Sequence, residues 1–120
     1  MFFGLHQLQF FLYCEPTDMR KSFDGLFGIV RSVLGADPLS GDVYVFMNRR
    51  RDRLKLLVWD GDGFWIFYKR LEKGTFQLPP HEENLSHLEV RYEDLLLITR
   101  GIDLGSVRKR RRYSREALPA

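Results

Sequence analysis

The stretch Val43–Leu71, VYVFMNRRRDRLKLLVWDGDGFWIFYKRL, decides how this chain folds. Three runs rich in β-branched and aromatic residues, Val43–Asn48, Arg53–Asp60 and Phe64–Leu71, read as consecutive antiparallel strands. Gly61-Asp62 suits a two-residue turn, because glycine tolerates positive φ. The polar Arg49–Asp52 joins the first two strands. Pairing Asp60 with Gly63 sets Trp59 opposite Phe64, Leu57 opposite Ile66 and Lys55 opposite Tyr68. Pairing Asn48 with Arg53 sets Phe46 opposite Lys55 and Tyr44 opposite Leu57. A slip of one residue would exchange every face.

Two faces follow. Val43, Val45, Met47, Leu54, Leu56, Val58, Trp65, Phe67 and Leu71 share one, with Lys69 its single charge, and that face is expected to be core. Tyr44, Phe46, Leu57, Trp59, Phe64, Ile66 and Tyr68 share the other, with Arg53, Lys55 and Arg70 at one end. The second face is too apolar for ordinary solvated surface.

Upstream, Gln9–Glu15 reads as a short strand before Pro16. Thr17 or Asp18 offers a helix cap. Met19, Phe23, Leu26, Phe27, Val30 and Leu34 then recur at helical spacing until Gly35 and Asp37-Pro38. This predicts a long helix, Asp18–Leu34, packed on the first face. Downstream, Thr75–Leu78 reads as a further short strand and His81–Leu88 as a polar loop. Glu93–Arg100 reads as a short helix offering Leu95, Leu96 and Ile98 to the second face. The expected fold is α+β: an antiparallel sheet of about four or five strands, one long helix on one face and a short C-terminal helix. Residues 1–104 form a single domain and 105–120 a basic tail.

A chain of 120 residues with 44% hydrophobic content suits one globular unit. No apolar run approaches the ~20 residues that cross a bilayer, and the start lacks the basic flank of a signal peptide. The single Cys14 allows no internal disulfide and fits the reducing cytoplasm. The net charge of +3 is unevenly laid out: residues 43–75 hold 8 basic and 4 acidic groups, and residues 105–120 hold 6 and 1. Such clustering points to an anionic partner, nucleic acid above all.

Chemistry finds little purchase. Asp60-Gly-Asp62-Gly lacks the further ligands of a calcium loop, and His6, His81 and His87 are scattered. No nucleotide-binding glycine pattern is present. A hydrolase built on Asp42, Asp52, Asp60 and Asp62 is the weakest reading, since turns favour aspartate anyway. The chain is read as non-catalytic, without metal or cofactor. Arg49, Arg50, Arg51 and Arg53 cluster at one hairpin, with Lys55, Lys69, Arg70 and Lys73 nearby. Arg108, Lys109, Arg110, Arg111, Arg112 and Arg115 add a second patch. These are the candidate phosphate contacts, because guanidinium groups bind phosphate bidentately. Tyr44, Phe46, Trp59, Phe64 and Tyr68 are the candidate partner-binding surface. That surface gives an adaptor reading, in which the chain binds another protein or itself. The dull alternative is that these aromatics lie beneath a helix.

DMRKSFDGL (Asp18–Leu26), the run Gly41–Pro79 and RGIDLGSVRKRRRY (Arg100–Tyr113) closely resemble the Orf2-like, TnpB-type accessory protein of a bacterial transposon family, insertion sequence sixty-six. The resemblance implies an accessory protein in DNA transposition, encoded beside the element's separate transposase, and leaves the mechanism open; DNA and that transposase are the expected partners. It implies no catalytic residues. A homo-oligomer is a further expectation, and a membrane is not.

Overall fold

The structure, a computed structural model, describes residues 8–100 together with the backbone of two short strands, Ile102–Asp103 and Arg108–Lys109. The strands of the sheet are β1 (Phe10–Tyr13), β2 (Val43–Met47), β3 (Arg53–Trp59), β4 (Phe64–Arg70) and β5 (His87–Val90). They lie in the order β4-β3-β2-β1-β5. β1 runs parallel to β2, and the other pairs are antiparallel. The helices are α1 (Phe23–Gly28), extended by one π-helical turn at Ile29–Val33, and α2 (Tyr92–Thr99). Ile102–Asp103 (β6) and Arg108–Lys109 (β7) pair as a separate two-stranded ladder.

The meander has the register expected from its turns. Trp59 pairs with Phe64, Leu57 with Ile66, Lys55 with Tyr68, Phe46 with Lys55 and Tyr44 with Leu57. Gly61 takes φ +111°, which a side chain would oppose.

Several expectations are corrected. The sheet is mixed, because β1 inserts beside β2 as a parallel neighbour. Its fifth strand is His87–Val90, within and just beyond the expected loop, while Thr75–Leu78 forms no strand. Four residues in an acidic, polar setting carry too little alternation to be seen; their ladder with β1 makes them a strand.

The long helix is absent: α1 and its π turn hold 6 and 5 residues. The segment before Phe23 has other partners. Asp18 accepts from the Arg20 amide at 2.9 Å, a local turn that competes with helix. The Met19 and Lys21 carbonyls accept from the Lys55 ammonium at 2.8 and 2.7 Å. Carbonyls held by a strand lysine are not available to a helical ladder.

The helices also cover the opposite faces from those expected. Leu26, Val30 and Leu34 of the first helix pack on Tyr44, Phe46 and Leu57. Leu95 and Ile98 of α2 pack with Phe10, Leu12, Val43, Val45, Met47, Leu54 and Val58. Trp65, expected in the core, is 39% exposed on edge strand β4.

Candidate nucleic-acid interface

The β2–β3 turn carries Arg49, Arg50 and Arg51, all exposed. Asn48 holds the turn together. Its side-chain carbonyl accepts from the Asp52 and Arg53 amides at 3.1 and 3.0 Å, and its amide donates to Asp52 Oδ1 at 2.7 Å. Arg51 adopts φ +59°, a left-handed conformation uncommon for a residue with a side chain. Its carbonyl accepts from the amide of fully buried Phe76 at 2.6 Å, so the loop is tied to the core. The three arginines make no side-chain hydrogen bond or ion pair with the described residues. They stand on a braced turn with their donors unused by the described residues.

Beside the turn is an open cleft of about 550 Å³, lined among others by Thr17, Asp18, Arg49, Arg50 and Arg53. The Thr17 hydroxyl is buried and has no hydrogen-bond partner among the described residues. Asp18 on the cleft wall is paired with Arg20 at 2.6 Å, and the hydrogen bonds from Arg20 hold its carboxyl down to about 2. That pairing offsets the acid's repulsion of an anion. Arg53 is exposed and reaches Tyr68 Oη at 3.5 Å.

The remaining cations divide. Lys55 is a correction: it is 7% exposed, its ammonium bonds two carbonyls and lies 4.7 Å from the Tyr68 ring centroid. A buried, fully engaged ammonium is a structural tie and no phosphate contact. Lys69 donates to the Thr99 carbonyl at 2.7 Å, at the negative end of α2. Arg70 pairs with Glu72 at 2.8 Å in the open, where such pairs are weak. Lys73 is exposed. Arg108 and Lys109 lie on β7, and Arg110, Arg111, Arg112 and Arg115 lie outside the described residues.

The aromatic face is not an open platform. Tyr44 and Phe46 are 3% and 0% exposed beneath the first helix. Trp59 and Phe64 are half-buried and meet edge to face at 5.0 Å, and Phe27 of α1 caps Phe64 at 5.8 Å. Tyr68 stands 51% exposed. The cover expected in part from the C-terminal helix comes instead from the first helix.

The turn aspartates make a local pair. The hydrogen bond from Trp65 Nε1, and a second from Asp62, hold Asp60 below its ordinary range, while Asp62 is pushed up by sharing that bond with Asp60. Among the described residues no three His, Cys, Asp or Glu converge as metal ligands, and no helix is long and apolar enough to cross a membrane. Burial raises the Cys14 thiol, which disfavours thiolate chemistry. Sequence reasoning missed the Asn48 brace and the Phe76 anchor. Asparagine before a polar turn was the signal for the first; nothing local marks the second.

Comparison with known proteins adds the family. The family described as IS66 Orf2 like protein matches residues 8–109. The uncharacterized protein y4jC of Sinorhizobium fredii is 36% identical over 103 residues, covering 86% of each chain. The uncharacterized protein y4hO of the same organism is 42% identical over 66 residues, 55% of this chain and 57% of its own. No solved structure matches. The family is not a known catalytic one. With its model spanning the sheet, both helices and the arginine turn, the chain belongs to the IS66 Orf2-like family, whose members are associated with insertion-sequence transposition.

Proposed function

We propose that this protein is a non-catalytic accessory factor of transposition that grips DNA phosphates, working in the cytoplasm beside the transposase of its element. The observation that carries the reading is the braced turn: three consecutive exposed arginines with no side-chain partner among the described residues. Holding guanidinium groups in place before binding lowers the ordering cost of a contact. Arg53 and the neighbouring cleft extend the surface, and the basic residues 108–115 add charge that needs no fixed geometry. Lys55 leaves the set. With Tyr44 and Phe46 enclosed, base stacking is not part of this proposal.

The test is binding to duplex, single-stranded and transposon-end DNA across a salt series. Charge-driven binding gives a linear log–log dependence, with a slope of about −0.9 per duplex phosphate neutralised. Arg49→Ala with Arg50→Ala should flatten that slope by about 1.8. Deleting residues 106–120 should flatten it further. An unchanged slope and affinity in both variants would remove the reading.

A further inference from the structure

We propose that β4 is the seam of a homodimer, pairing antiparallel with β4 of a second copy around a twofold axis at Phe67. This goes beyond the DNA-binding reading and does not depend on it.

The two edges of the sheet differ. β5 is 4 residues long and carries Glu89; β4 is 7 residues long and reads FWIFYKR. Natural edges are guarded by shortness, charged side chains, proline or bulges. β4 has no proline and pairs with β3 without interruption from Phe64 to Arg70. Its charges, Lys69 and Arg70, sit at one end, while Trp65 and Tyr68 are 39% and 51% exposed.

The phase of the ladder identifies the groups that point outward. Asp60 donates to the Gly63 carbonyl at one end of the β3–β4 pair, and Leu71 donates to the Asp52 carbonyl at the other. Hydrogen-bonded pairs alternate along an antiparallel ladder. Gly63, Trp65, Phe67, Lys69 and Leu71 therefore bond inward to β3. The backbone N–H and C=O groups of Phe64, Ile66, Tyr68 and Arg70 face away from the sheet, with no strand to receive them among the described residues.

The sequence of the strand selects its partner. An axis through Phe67 sets Ile66 opposite Tyr68 of the second copy, Trp65 opposite Lys69, and Phe64 opposite Arg70. The outward residues then meet only outward residues, as a ladder requires. The cationic end of each strand then lies beside the aromatic end of the other, and like charges are kept apart. A parallel, in-register pairing would instead align Lys69 with Lys69 and Arg70 with Arg70. The apolar half and the cationic half of FWIFYKR make the strand complementary to its own reverse, so a second copy fits it.

Sedimentation velocity of the full chain over a wide concentration range tests this. A reversible monomer–dimer equilibrium is expected. Ile66→Pro removes an outward N–H without touching the β3 ladder, a place where an edge strand tolerates proline. It should weaken dimerisation at least tenfold while circular dichroism stays native. A second arm does not depend on that variant folding. In a Cys14→Ser background, Phe67→Cys places two thiols across the axis at a non-hydrogen-bonded position, within disulfide reach. Phe64→Cys places them far apart. Oxidised glutathione should link the first into dimers and leave the second monomeric. Wild type that stays monomeric at every concentration, or equal cross-linking of the two cysteine variants, overturns the proposal. So does capture of β4 by a strand of the transposase in preference to a second copy.

Discussion

Lys55 donates its ammonium to the Met19 carbonyl at 2.8 Å, linking the middle of β3 to the chain just before α1. The same ammonium reaches the Lys21 carbonyl at 2.7 Å and lies over Tyr68. The bond holds the chain just before the helix and removes a cation from the proposed phosphate-contact set.

Lys55→Met should therefore lower stability by about 1.5–3 kcal/mol, since the Met19 and Lys21 carbonyls lose a charged donor. Urea denaturation measures this. The salt slope of DNA binding should not move, because Lys55 is not on the surface. A stable variant with a flattened slope would put Lys55 back among the phosphate contacts.

Phe46→Ala and Trp65→Ala should differ in the order opposite to that expected from sequence. Phe46 is fully buried between sheet and first helix, where a large-to-small change costs about 3–5 kcal/mol. Trp65 is 39% exposed and stacks on Phe67 at 6.1 Å, so its loss should cost about 1–2 kcal/mol. Denaturation midpoints falling in the reverse order would contradict the placement of α1.

Arg51→Gly separates charge from conformation. Glycine accepts φ +59° without strain, so stability should hold or rise by up to about 1 kcal/mol. The DNA salt slope should flatten by about 0.9. Arg51→Val removes the same charge but opposes the left-handed backbone, and should destabilise by about 1–3 kcal/mol.

Asp18 should titrate near 2, below its ordinary 3.8, because Arg20 hydrogen-bonds its ionised form. A depressed folded value means that this pair's contribution is present above about 3.8 and is lost as pH falls towards 2. Carboxyl NMR titration of wild type and Arg20→Ala checks this. The variant's midpoint should rise towards the ordinary value.

How far the sequence could be read depended on the range of each interaction. The register of β2, β3 and β4 was legible because Gly61 and Asn48 mark turns next to the residues they pair. Helix α2 was legible from EDLLLITR to within one residue at each end. The start of α1 was not, because its competitor is Lys55, far along the chain. β5 was not, because its strand character comes from β1 near the other end. Alternation told which side chains share a face, but two apolar faces do not say which helix takes which. At the candidate site, charge alone marked Arg49, Arg50 and Arg51; the Phe76 tie that braces them is long-range.

The place of β1 between β2 and β5 has a consequence for synthesis. At about 5–20 residues per second, the ribosome makes Phe10–Tyr13 several seconds before His87–Val90. The β2–β4 hairpins need only microseconds once their residues emerge. A nascent chain therefore holds a finished meander and a first strand whose far edge waits for the last strand of the sheet. Until Val90 appears, Phe10 and Leu12 lack both β5 and the cover of α2. A message broken after Pro80 would yield a chain with that edge permanently bare, suited to aggregation and to rapid degradation by proteases.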